Sequence, residues 1–162
     1  MIPPERIARV QEILHNIHHA AIATVNDDGS PHNTPVFMAF DHTLTGYWSS
    51  HPDSVHSRNI AHTNQAFIVL FDSRQGHGGL FIEATAAIIE DTHQLQLAYN
   101  TLKSLKERTN RTLGPIAQYN GNGQRLYMAR PMHLWLNMSE KDNRGNIVRD
   151  YRYKITQSDL VT

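Results

Sequence analysis

The chain has 162 residues, 40% of them hydrophobic, with 15 Lys and Arg against 15 Asp and Glu, a formal net charge of zero and no cysteine. That length suits one well-packed domain, expected over residues 1–162, and the charge balance excludes a chain-wide field for nucleic acid or an anionic membrane, so phosphate recognition must be local. The missing cysteines exclude disulfides, thiolate metal sites and a cysteine nucleophile; with no apolar run of spanning length and charged residues near the N-terminus, a cytoplasmic protein without membrane partners is expected.

Pro3 and Pro4 suit a first helical turn, and Ile7, Val10, Ile13, Leu14 and Ile17 follow at helical spacing, which predicts an amphipathic opening helix. Residues 20–25 read as a strand, Asn26-Asp27-Asp28-Gly29 as a turn, and residues 32–40 as the partner strand, with Pro31 and Pro35 marking an edge or a bulge. A turn at 41–43 leads to a third strand at 44–48. Pro52 with Asp53 or Ser54 starts a short helix through His62, and residues 66–71 form an apolar run long enough for a buried strand. Residues 73–79 read as a mobile loop, after which Leu80, Ile82, Ala84, Ala86 and Ile88 alternate to give one apolar strand face. Asp91 or Thr92 caps a long helix, with Leu95, Ala98, Tyr99, Leu102 and Leu105 inward and Lys103, Lys106, Glu107 and Arg108 outward. A helical turn at 113–119, strands at 126–129 and 132–138 separated by Arg130-Pro131, a hairpin loop at 139–146 and a closing strand at 147–155 complete the chain. About seven or eight antiparallel strands with flanking helices predict an α+β fold closed into a barrel, because closure removes exposed edges.

The stretch from Tyr47 to Ile60 gathers Ser49, Ser50, His51, Ser54, His56, Ser57 and Arg58 around a helix start. Hydroxyls, backbone N–H groups and one arginine there make an anion pocket suited to a phosphate ester. His51 and His56 flank it, where a protonated imidazole adds charge; surface polarity is their plainer reading. His15, His18 and His19 can place two imidazoles on one helix face, but no matching pair of ligands stands elsewhere, so no metal site is expected. Glu83 reads as a paired surface carboxylate, and Trp135 on its alternating strand as packing or a ligand contact. No nucleophile triad or pair of catalytic carboxylates stands out. Gly76-His77-Gly78-Gly79 lacks the helix and Lys-Ser/Thr ending of a phosphate-cradling loop and reads as a flexible flap.

Taken in order, Ala23-Thr24-Val25 to Gly29-Ser30-Pro31, Asn33-Thr34-Pro35-Val36-Phe37, Tyr47-Trp48-Ser49-Ser50 with Ser57-Arg58-Asn59, residues 67–72, residues 79–86, and Trp135 with Arg149 and Arg152 resemble the pyridoxamine-phosphate-oxidase-like family of FMN-binding split barrels. The resemblance implies a split β-barrel with Thr34, Pro35, Val36 and Phe37 along the isoalloxazine ring. It puts Ser57 and Arg58 on the FMN phosphate, with Trp48, Ser49 and Ser50 beside them. It also implies a homodimer whose cofactor site is completed by the partner's Trp135 and by Arg149 or Arg152. The family's oxidases carry a second basic residue where this chain has Asn59, a strand lysine where it has Met38, and a glutamine near Gly79. The resemblance is therefore to a general FMN-binding relative, expected to be an oxidoreductase acting on a small molecule, and not to the vitamin B6 oxidase itself. The alternatives keep the fold and change the ligand to F420 or haem, or make the protein a non-enzymatic flavin sensor.

Overall fold

The computed structural model of the protein describes residues 2–72, 78–156 and 159–160. Residues 73–77 of the expected mobile loop, with Gly76 and His77 of the expected flap among them, lie outside the described residues.

Helix α1 (Pro4–Asn16) begins where Pro4 occupies the first turn, whose N–H groups have no helical partner in any case. It buries Val10 and Ile13 against the barrel core, with Ile7, Leu14 and Ile17 packed at its margin. Strands β1 (His19–Val25) and β2 (Pro31–Phe37) form a hairpin whose turn is set by Gly29 at φ +81° and by the Asp28 carboxylate, which accepts from Ser30 N–H at 2.9 Å and from Ser30 Oγ at 2.5 Å. Both bonds favour the ionised carboxylate and hold Asp28 below its usual range. Strand β2 pairs only with β1, so Pro31 and Pro35 sit on an edge, where their missing N–H groups break no ladder.

The strand expected to run to Phe40 is split. Met38 is buried and its N–H turns to His18 O at 3.0 Å, leaving β3 (Ala39–Phe40) as a separate piece. The third expected strand also starts later than residue 44. Leu44 adopts φ +63° inside a turn organised by Asp41, so pairing resumes only with β4 (Gly46–Ser50). Gly46 has no space for a side chain: a Cβ there would lie 2.8 Å from Met38 Sδ.

Helix α2 (Val55–Thr63) ends at Asn64 in the left-handed conformation, and β5 (Gln65–Phe71) and β6 (Gly79–Ile88) follow. Along β6 the residues Leu80, Ile82, Ala84 and Ala86 are buried, as their alternation predicts. Helix α3 (Thr92–Arg108) starts with the Asp91 carboxylate accepting from Gln94 N–H at 2.8 Å, and a short 3-10 turn (Ile116–Tyr119) precedes β7 (Arg125–Lys141).

Strand β7 is continuous where a break at Arg130-Pro131 was expected. Its pairing with β6 steps from Glu83–His133 to Ala84–Pro131, so Met132 is an extra residue, and this bulge accommodates the proline's missing donor inside an unbroken strand. The hairpin loop expected over 139–146 shortens accordingly, because β7 runs on to pair Ser139 and Glu140 with β8 (Ile147–Ile155).

Among the described residues, eight antiparallel strands form one sheet in the order β2-β1-β5-β6-β7-β4-β3, with β8 on the far half of β7. The two ends of that order, β2 and β3, are consecutive in the chain across Met38, so the sheet curls back on itself as a barrel. The front of β7 pairs with β4 and its rear with β8, which splits the wall. Two cores result: the barrel interior around Ile22, Trp48, Ile68 and Leu80, and a second layer in which Leu95, Ala98, Leu102 and Leu105 of α3 cover Tyr47 and Leu126. No described helix is long and apolar enough to cross a membrane.

Candidate functional site

Strand parity decides what β4 offers on each side. Trp48 opposite Tyr127 and Ser50 opposite Arg125 share the barrel-interior face, whereas Tyr47 and Ser49 face the α3 layer. After Ser50 the chain turns, with Ser54 N–H donating to His51 O at 3.0 Å, and enters α2. A cleft of about 380 Å³ opens where β2, this turn and α3 meet.

One wall of the cleft is Pro35, Val36 and Phe37 of β2. Ser49, Ser50, His51, Ser54 and His56 form the second, and Leu102 and Lys106 of α3 form the third, with Leu113 and Gln124 at the margin. The cleft is thus apolar and flat at one end and rich in hydrogen-bonding groups at the other.

The polar end is internally connected. His56, 7% exposed, places Nε2 2.8 Å from Ser50 Oγ and 3.4 Å from Ser54 Oγ. Ser50 Oγ lies 3.0 Å from Ser54 Oγ, and Ser54 donates to Ser57 Oγ at 2.8 Å. Each hydroxyl has one proton to give. With that proton on Ser54 directed to Ser57, the Ser50–Ser54 contact needs the Ser50 proton, and the His56 contact then needs Nε2–H as donor. The arrangement therefore favours a one-way chain from His56 to Ser50, Ser54 and Ser57. Burial pushes the His56 imidazole below its ordinary value, with a smaller push from His32. Beside it, His51 Nδ1 accepts from Asp53 N–H at 3.2 Å.

Of the residues expected to contact a cofactor, Pro35, Val36, Phe37, Ser49 and Ser50 line the cleft together, and His51 and His56 join them. Thr34 is half-buried on β2 but is not part of the lining. The Trp48 side chain is fully buried in the barrel, stacked on Tyr127 at 5.5 Å, so the cleft gains nothing from its ring. Ser57 is buried behind Ser54, and the exposed Arg58 guanidinium is held by the Asp53 backbone carbonyl. Trp135 and Arg149 are outside the cleft of their own chain: Trp135 lies on the outer wall near Phe67 and His133, and Arg149 pairs with Glu140 at 2.5 Å.

Helical periodicity predicts that Lys106 faces outward. It is instead half-buried at the shoulder of α3, over the Phe37 ring at 5.6 Å, with Nζ donating to Thr112 O at 3.3 Å. Its ammonium lines the same cleft as the hydroxyl cluster, on the Phe37 side. The two positions where a family oxidase has basic residues serve packing here. Met38 is in the barrel core, and Asn59 donates to Thr24 Oγ1 at 3.0 Å and to Asn26 Oδ1 at 2.9 Å, tying α2 to the β1–β2 hairpin. His18 Nε2 lies 3.0 Å from His15 O, and among the described residues no group of three or more His, Asp or Glu side chains is placed to hold a metal ion.

The described residues form a split antiparallel barrel with a cleft between its edge strand and a flanking helix. A sequence model of the family described as pyridoxamine 5'-phosphate oxidase matches residues 7–129, and the chain belongs to that family. No curated protein matches it in sequence. Among solved structures it is similar to a Clostridium acetobutylicum protein related to general stress protein 26 of B. subtilis, of the pyridoxinephosphate oxidase family, at 10% identity and TM-score 0.67 over 98% of this chain and 99% of that one. It is also similar to HutZ, the haem storage protein of Vibrio cholerae, at 16% identity and TM-score 0.63 over 78% and 91%. A third likeness is to an F420 reductase, at 16% identity and TM-score 0.58 over 76% and 94%. At such identities the shared property is the fold.

Proposed function

We propose that the protein binds FMN in this cleft, works as a homodimer and acts as an FMN-dependent oxidoreductase on a small molecule. The observation that carries this reading is the cleft itself, which joins an apolar strand at Pro35–Phe37, with Lys106 over Phe37, to the hydroxyls of Ser49, Ser50 and Ser54. The phosphate would be held by Ser49, Ser50 and Ser54 with Lys106 as its cation, and the ring system would lie along β2. Two of these groups, Ser54 and Lys106, replace the Ser57 and Arg58 that the resemblance implied. FMN supplies hydride or electron transfer when bound, while the chain's own groups bind it, orient it and exclude water. Trp135, half-buried near Phe67 on the outer wall, is suited to cover the partner's cleft, with Arg149 from β8 as the accompanying cation.

The test is a titration of the purified protein with FMN, followed by flavin fluorescence, alongside light scattering of the eluted protein. Saturable quenching at one FMN per chain in a dimer supports the reading. Unquenched flavin with a monomer in solution overturns it. A Soret band on adding haemin, or binding of F420 without FMN, would move the ligand toward those named for the structural neighbours.

A further inference from the structure

A phosphate monoester carries nearly two negative charges at neutral pH. Of the cations that touch the cleft, Lys106 alone is permanently charged among its lining residues. Besides the Arg149 that the reading above brings from the partner, the lining groups able to gain a positive charge are His51 and His56. Resting on the FMN reading above, we infer that His56 takes up a proton from solvent when a phosphate dianion seats on the Ser50 and Ser54 hydroxyls, so that cofactor binding is proton-linked.

The geometry assigns this role to His56 over its neighbours. Its Nε2–H donates to Ser50 Oγ at 2.8 Å, so an added proton goes to Nδ1 and keeps that bond while the Ser50 and Ser54 protons turn from the chain to the phosphate. In the free protein, burial disfavours the imidazolium; a dianion within the same cleft favours it, because an opposite charge nearby stabilises the charged form. The groups shown to act on His56 are His32 on β2, Ser50 on β4 and Ser54 at the helix start, while His51 of the turn and Lys106 of α3 line the same cleft and Arg125 of β7 is opposite Ser50 in register. His32 adds to burial in opposing a positive charge on His56 in the free protein, which sharpens its dependence on ligand. His51 is a weaker candidate, because its side chain is half exposed and stands beside the Asp53 carboxylate.

The ligand itself does not account for the uptake. Its second phosphate ionisation lies near about pH 6, and a cationic site lowers it further, so at about pH 7.5 the ligand releases protons if it exchanges any.

The experiment is calorimetric titration of FMN into the intact protein at about pH 7.5 in two buffers of different ionisation enthalpy, which counts protons taken up per FMN bound. Proton uptake in the native protein and in His51→Gln, lost in His56→Gln, supports the inference. Affinity should then fall by up to about tenfold per pH unit between the imidazole's value in the free protein and its higher value in the complex, and level off above the latter. Since His56→Gln alters a buried position, the imidazole C–H signals of the native protein provide a second measurement: the titration midpoint of His56 should move up when FMN is present. FMN binding with no proton uptake, or uptake that survives His56→Gln, overturns the inference and leaves the flavin reading standing. Absence of FMN binding overturns both.

Discussion

Helices α2 and α3 both begin after a residue suited to capping, and they use it differently. At α3 the Asp91 carboxylate accepts from Gln94 N–H and closes the first turn. At α2 the N-cap Ser54 makes no bond to the backbone; its hydroxyl is engaged with Ser50, Ser57 and His56. A cap removes unsatisfied N–H groups and stabilises a helix by about 1 kcal/mol. The α2 start forgoes that and presents its polar side to a cleft, whereas α3 is a buttress whose inner face is Leu95, Ala98, Leu102 and Leu105. The start of α3 is closed by its cap, whereas the start of α2 leaves its hydroxyls to the cleft, whose lining Lys106 joins from the buttress; the reading proposed above puts ligand recognition there.

The largest effect expected from breaking this division is at the buttress. Leu95→Ala empties a buried position in the α3 layer and should cost about 2–5 kcal/mol in urea unfolding. Affinity of the folded fraction for FMN should stay within about twofold, since Leu95 does not line the cleft. A proportional loss of affinity would show that α3 packing shapes the site directly. Next comes Lys106→Ala, which removes the charge-assisted contact and should weaken FMN binding by about 1.5–3 kcal/mol with little change in the unfolding midpoint. Arg58→Ala is the comparison: if that variant loses more affinity than Lys106→Ala, the phosphate sits toward Asp53 and not beneath α3.

The paired caps give a smaller contrast. Asp91→Ala should lower stability by about 1 kcal/mol without touching FMN affinity. Ser54→Ala should do the reverse, losing less stability than Asp91→Ala but weakening FMN by about 0.5–1.5 kcal/mol, the range of one neutral hydrogen bond. Equal stability losses for the two variants would remove the distinction between the helix starts.

Much of this arrangement was legible in the sequence because it follows local rules. Alternation exposed the buried face of β6, the Asn26–Gly29 turn marked the first hairpin, and the Asp91-Thr92 pair marked the start of α3, where Asp91 is the residue that caps it. The hydroxyl cluster, with His51 and His56, was legible as composition around a helix start. What escaped depended on tertiary placement. Periodicity assigns Lys106 to the polar side of α3, but a side chain at the helix shoulder belongs to whatever cleft opens there. Met38 splits an apolar run because its side chain is needed in the core while its N–H turns to His18. Arg130-Pro131 reads as a break, yet the register shift opposite Glu83 and Ala84 absorbs it. A Trp beside serines reads as a ligand contact, and only the cross-strand pairing with Tyr127 turns Trp48 inward.

The smallest expected effect is a slope, and it too separates the two helices. In the free protein the His56 imidazole is held below its ordinary value of 6.5, so the folded chain binds fewer protons than the unfolded one between its folded value and 6.5. Stability must therefore rise with pH across that window, and fall as the pH drops through it, because unfolding lets His56 take the proton that burial denies it. The carboxylates held low, Asp28, Asp142 and Asp159, act only near and below their ordinary value of 3.8 and leave this window clear. Urea midpoints measured from about pH 5.5 to about pH 7.5 should increase, and His56→Gln should flatten that increase while Asp91→Ala lowers the whole curve without changing its slope. With saturating FMN the sign of the His56 contribution should reverse: a raised value in the complex stabilises the folded state at the acid end and is lost as the pH climbs through it. A slope unchanged by His56→Gln, with or without FMN, would mean that the polar start of α2 does not carry the protein's response to pH.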